Sequence, residues 1–190
     1  MSGVMEFTNG LLPVYLLAFA AGFAGGIVRG YCGFGFALAA VPVLTILVSP
    51  VEAVPAVLPL ELAIGAATFA TQREHARKEL LGLLCAGTLV GTPLGIFVLA
   101  STPAHVMKAL IGVFVLLGVA IILLKPGSKA LLRRVPLFGV GLTSGLLNGS
   151  SGMSGPPAIV ALLGSDLPAA SARATLMAFI AFSAFLGIVL

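Results

Sequence analysis

Apolar runs cover almost the whole chain, near residues 11–28, 34–48, 54–71, 80–100, 107–124, 136–148, 156–164 and 172–190. Only isolated charges and clusters of glycine and proline interrupt them. A helix that crosses the hydrocarbon core of a bilayer needs roughly 20 apolar residues, and most of these runs reach or approach that length. The chain carries ten Lys+Arg and six Asp+Glu, 8% of its 190 residues. Its mean hydropathy is +1.20. Soluble domains carry about 25% charged residues, and sixteen charges cannot clothe a water-facing surface of this size. A soluble enzyme is excluded, and so is disorder, which demands low hydrophobicity. The pattern predicts an all-α polytopic membrane protein with about seven or eight membrane segments, its main partner the lipid bilayer.

The formal net charge of +4 matters less than its placement. Positive residues gather in two short loops, Gln72 to Lys78 and Lys125 to Arg134, rather than in a patch, so nucleic-acid binding is not expected. By the positive-inside rule both loops are cytoplasmic, which puts the N-terminus outside together with Glu6, the Glu52 loop and the Ser101–His105 loop. The first apolar run is too long for the core of a cleavable signal peptide. Cys32 and Cys85 lie inside apolar runs and read as packed thiols rather than a disulfide. His75 and His105 are far apart and in loops, so no metal is expected, and no cofactor motif is present.

Almost nothing joins the segment before Arg29 to the one after Gly33, and the same holds around Asn148 to Gly155. Both pairs read as helix hairpins, either full-depth or re-entrant. Shifting the chain by 119 residues aligns Gly22, Gly26, Gly30 and Gly33 with Gly141, Gly145, Gly149 and Gly152, and Arg29 with Asn148. An odd number of segments separates the two copies, so they enter from opposite faces. That is an inverted-topology repeat, the plan of many secondary transporters. Residues 1–128 form the first repeat and 129–190 the start of a second. Partners for the segments 80–100 and 107–124 are not found in the second repeat, so the expectation is a truncated or partial transporter.

The two tips, Arg29-Gly-Tyr-Cys-Gly-Phe-Gly35 and Asn148-Gly-Ser-Ser-Gly-Met-Ser-Gly-Pro-Pro157, are where the chemistry concentrates. Glycine lets a backbone break and approach a ligand closely. A helix starting after each tip aims free N–H groups and its positive dipole end back at the break. Candidate anion-binding residues are therefore Arg29, Gly30, Gly33 and Gly35 in the first tip, and Asn148, Gly149, Ser150, Ser151, Gly152 and Ser154 in the second. The plainer reading is that these glycines only make tight turns and close helix contacts. Arg29 is either a ligand for the anion or part of the positive-inside signal. Glu61 either pairs with Arg29 or carries a proton, or it snorkels outward, the last being the simpler expectation. Gly87-x3-Gly91-x3-Gly95 and Gly22-x3-Gly26-x3-Gly30 read as packing faces.

Gly149-Ser-Ser-Gly152 and Gly152-Met-Ser-Gly155 match the short pattern of rhomboid-like intramembrane serine proteases. No apolar segment supplies the histidine base that such a serine needs, so catalysis is not expected. The blocks GFAGGIVRGYCGFGFALAAVP (22–42) and GLTSGLLNGSSGMSGPP (141–157) resemble the TauE/SafE sulfite exporter family, also called the toluene sulfonate uptake permease family. Asn148, Gly149, Gly152, Gly155 and Pro156 look like its second signature, whereas Arg29 departs from its first. The resemblance implies a bacterial inner-membrane transporter for sulfite, sulfoacetate or other organic sulfur anions, with a homo-oligomer left open. The runner-up is a non-transporting membrane subunit or a fragment that associates with another chain.

Overall fold

A computed structural model describes residues 16–27, 29–30, 33–124 and 136–190. Cys32 and the basic loop 125–134 lie outside the described residues. Eight α-helices, and no strand, occur among those described: α1 (Leu16–Ile27), α2 (Phe36–Leu47), α3 (Pro50–Gln72), α4 (Lys78–Ser101), α5 (Ala104–Leu124), α6 (Leu137–Ser151), α7 (Gly155–Leu163) and α8 (Ala169–Val189). One 3₁₀ turn, Arg73–His75, follows α3.

The starts of α3, α4, α5 and α8 fall two to four residues before their apolar runs because first turns with polar or small residues belong to the helices. α3 starts at Pro50, not near 54. Ser49 donates its N–H and its hydroxyl to Glu52 Oε2 at 3.1 and 2.7 Å, a capping box, and proline at the first helical position needs no amide partner. Likewise α8 begins at Ala169, three residues before the run near 172.

Of these helices α3, α4 and α8 are long and apolar enough to cross a membrane. α1, α2, α6 and α7 are shorter. At about 1.5 Å per residue the nine residues of α7 reach about 14 Å, under half of a hydrocarbon core, and the twelve of α2 about 18 Å. Large apolar side chains such as Phe97 on α4, 71% exposed, point outward, as a lipid-facing surface requires.

The tightest packing joins α4 to α6. Gly87, Gly91 and Gly95 of α4 oppose Gly141, Gly145 and Gly149 of α6 so closely that a Cβ on any of them would run into the partner's backbone. Thr88 Oγ1 donates to the Gly141 carbonyl at 2.9 Å across the same seam. In lipid, small residues are what allow this approach. The second expected ladder does not form: no atom lies within 4 Å of a Cβ built at Gly22, Gly26 or Gly30 among the described residues. Gly25 is the α1 glycine in contact instead, against Phe36, because the buried stripe of α1 runs one position round the helix.

Two apolar clusters form the core. One gathers Phe36, Val41, Val54, Val57, Met107 and Ile111 from α2, α3 and α5. The other gathers Leu84, Ile159, Leu162, Leu176 and Phe179 from α4, α7 and α8.

Candidate anion-binding site

Helical backbone in the first tip runs through Arg29 and Gly30, so the break is narrower than the 29–35 stretch suggests. The Gly33 N–H donates to the Arg29 carbonyl at 2.7 Å, with Gly33 at φ 81°. This is a left-handed helix end, a conformation that glycine adopts without strain. Gly35, at φ 100°, then launches α2. The Arg29 side chain crosses to α3, where Nη1 donates to Glu61 Oε1 at 2.9 Å and Nη2 approaches the Glu61 carbonyl at 3.5 Å. The same Oε1 accepts the Ala37 N–H of the first turn of α2 at 3.4 Å. Both side chains are 3–4% exposed. Glu61 therefore does not snorkel outward, and the Arg29 side chain is buried inside the protein. Their pairing removes the need, because each neutralises the other's buried charge.

In the second tip α6 continues through Asn148 to Ser151 and ends in the same way. The Gly152 N–H, at φ 71°, donates to the Asn148 carbonyl at 2.8 Å. The hydroxyls of Ser150 and Ser151 donate back into α6, to the Leu146 and Leu147 carbonyls at 2.7 and 2.8 Å. Asn148 Nδ2 donates to the Ser183 carbonyl of α8 at 2.8 Å. Ser154 differs: it is 2% exposed, and its Oγ has no hydrogen-bond partner among the described residues. The helix behind it begins Gly155-Pro156-Pro157, so of these three residues only Gly155 can offer an amide.

The two tips meet. A cavity is lined by Gly35, Ala37 and Glu61 on one side and by Gly152, Ser154 and Pro156 on the other, with Ile180 of α8 also in its wall. Its volume is about 10 Å³, room for about one water. Each tip sends one side chain into the opposite cluster. Met153 packs with Phe36, Val54 and Met107, while Phe34 packs against the cluster of Ile159 and Phe179.

The sequence candidates thus separate. Gly35, Gly152 and Ser154 line the cavity, and Arg29 touches it through Glu61. Gly30 and Gly33 lie beside α8, where Arg173 Nη2 donates to the Gly30 carbonyl at 3.2 Å. Asn148 and Gly149 line a different cavity, mostly apolar and about 300 Å³ in volume, bounded by Val54, Leu58, Leu99 and Gly187. Ala37 and Ile180 have no signal in the sequence, since a backbone amide and an apolar wall look like any others. Arg173 does have one: it is a lone cation within the last apolar run.

A family model described as Sulfite exporter TauE/SafE matches residues 18–190. The chain belongs to this family. No curated protein and no solved structure matches it. The span shared with the TauE/SafE model takes in both tips, the cavity between them and every helix from α2 to α8. A TauE/SafE protein is a membrane transporter, and the apolar helices here suit that setting.

Proposed function

We propose that this chain is a secondary transporter that binds a small sulfur oxyanion, sulfite or an organosulfonate, between its two tips. The observation that carries the reading is Ser154, a buried hydroxyl without a hydrogen-bond partner among the described residues, in a cavity shared with the first turn of α2. A polar atom left unpaired in an apolar surround costs stability unless it serves a ligand. The α2 N-terminus and the Arg29 guanidinium supply the positive potential that an oxyanion needs. The cavity is too small for the anion in this conformation, so binding requires the tips to part.

The two halves act as an inverted repeat. Supporting this, the 119-residue offset that aligns the glycines also aligns the starts of α2 and α7, at Phe36 and Gly155, and of α3 and α8, at Pro50 and Ala169. It aligns the left-handed Gly33 with Gly152 and the exchanged side chains Phe34 and Met153. The short α7 makes its hairpin re-entrant, with the tip inside the membrane, where irregular backbone is tolerated beside a protein-lined cavity. The bilayer is the bacterial inner membrane, with the 72–78 and 125–134 loops cytoplasmic.

Uptake of labelled sulfite into proteoliposomes tests the proposal. Ser154→Ala should leave the melting temperature unchanged or higher, since it removes an unpaired polar group. It should weaken the apparent affinity about tenfold or more, the loss expected for a hydrogen bond to a charged group. Uptake by Ser154→Ala with wild-type affinity contradicts the site.

A further inference from the structure

We propose that the Glu61 carboxylate is an internal stand-in for the substrate anion, so that anion binding requires Glu61 to take up a proton. This deepens the anion-site reading above and rests on it.

The geometry of the carboxylate carries the inference. Glu61 Oε1 accepts from the Arg29 guanidinium at 2.9 Å and from the Ala37 amide, in the first turn of α2, at 3.4 Å. A guanidinium and a helix-terminal amide are the two kinds of donor a bound oxyanion uses. Glu61 also lines the cavity that holds the unpaired Ser154 hydroxyl. The carboxylate therefore occupies the donors that the substrate would need, at the place where the substrate would sit.

Two anions cannot share one guanidinium in a low-dielectric interior without strong repulsion. In the structure Arg29 and Glu61 sum to zero charge. A substrate monoanion added to that pair leaves a net negative charge buried at membrane depth. The same anion added with a proton on Glu61 leaves the site neutral, with Arg29 and the Ala37 amide released to the ligand. Charge balance alone thus couples one proton to one anion, moving in the same direction.

Among the described residues no other group is placed to take this proton. There α1 carries no ionisable side chain and the first tip only Arg29, and α2, α6 and α7 carry no polar hydrogen-bearing side chains beyond Ser, Thr and Asn. On α8 the one charged residue is Arg173, engaged at Gly30. On α5 His105 and Lys108 are exposed, as are Lys78 and Glu79 at the start of α4 and Glu52 at the start of α3.

The test is calorimetric titration of the purified protein with methanesulfonate, whose own charge does not change near neutral pH, and in parallel with sulfite. Each titration is run in two buffers of different ionisation enthalpy, so that protons taken up on binding are read directly. Wild type should take up close to one proton per methanesulfonate bound, and its affinity should fall by up to about tenfold per pH unit as pH rises. Glu61→Gln should take up none, lose that pH dependence and bind more tightly than wild type at alkaline pH. With sulfite, the Gln variant gives the ligand's own proton uptake, and the difference from wild type is the share of Glu61. Wild-type binding without proton uptake, or equal uptake by both proteins, overturns the coupling and leaves the anion site standing. Failure of both anions to bind wild type at any pH overturns the site and the coupling together. If Glu61→Gln does not fold, the methanesulfonate titration of wild type in the two buffers decides alone.

Discussion

Arg29 and Asn148 end their helices in the same way and then reach across to matching partners. Each carbonyl accepts the N–H of a left-handed glycine four residues on, Gly33 at 2.7 Å and Gly152 at 2.8 Å. The Arg29 side chain bonds Glu61 on α3, and the Asn148 side chain bonds the Ser183 carbonyl on α8. Gly65 and Gly187 make room beside them: a Cβ built there lies 3.1 Å from Arg29 Nη2 and 3.2 Å from Asn148 Nδ2. One half of this frame is charged and the other neutral. That difference sets the first tip apart as the one with a charge to exchange.

Asn148 should therefore act mainly on stability. Asn148→Ala removes a buried hydrogen bond between α6 and the Ser183 carbonyl of α8, and such a bond contributes about 0.5–1.5 kcal/mol. Thermal unfolding in detergent should show a lower midpoint. An unchanged midpoint means that the Asn148–Ser183 bond does not hold the second tip to α8.

The seam between α4 and α6 predicts a contrast among glycines. At Gly91 an added methyl runs into the Leu142 carbonyl oxygen, whereas at Gly26 it meets nothing within 4 Å among the described residues. Gly91→Ala should cost about 3 kcal/mol or more, since backbone cannot give way as a side chain does. Gly26→Ala should stay within about 1 kcal/mol of wild type, or gain from lost chain entropy. Yields and melting midpoints of the two variants check this, and equal behaviour contradicts the seam.

Gly152 separates backbone strain from space. A Cβ there finds its nearest neighbours, Val41 and Val54, at a comfortable 3.7 Å, yet the backbone sits at φ 71°. Gly152→Ala should cost about 1–2 kcal/mol and Gly152→Asn less, because asparagine tolerates the left-handed region. Gly152→Val should be the worst of the three and abolish sulfite transport. A Gly152→Ala midpoint equal to wild type contradicts the left-handed turn.

Orientation has its own readout. With Cys32 and Cys85 replaced by alanine, Glu74→Cys should react with a membrane-impermeant thiol reagent only from the cytoplasm, and His105→Cys only from outside. Labelling of Glu74→Cys from outside reverses the assignment.

Much of this architecture was legible because a membrane chain announces its helices by apolar runs. The glycine register marked a packing face on α4 correctly, but not its partner, the Gly141, Gly145 and Gly149 face of α6. On α1 it marked the wrong face, because a one-position difference between Gly25 and Gly26 rotates the contact by about 100° around the helix. The site was legible only in part. Glycines and serines of one tip look alike in sequence, yet Ser150 and Ser151 bond their own helix while Ser154, just past its end, does not. The pairing of Arg29 with Glu61 spans 32 positions, and no local pattern encodes it. Arg173 stands at the second position of the last apolar run, and a single charge at the end of such a run carries no sign of which carbonyl it reaches.

A structure determined with sulfite present tests the central claim most directly. The account predicts the anion between the tips, within hydrogen-bonding distance of Ser154 Oγ and of the first turn of α2, with the Glu61 carboxylate turned away from Arg29. An ordered sulfite bound elsewhere in the bundle, with the Arg29–Glu61 pair intact and the cavity unchanged, contradicts it.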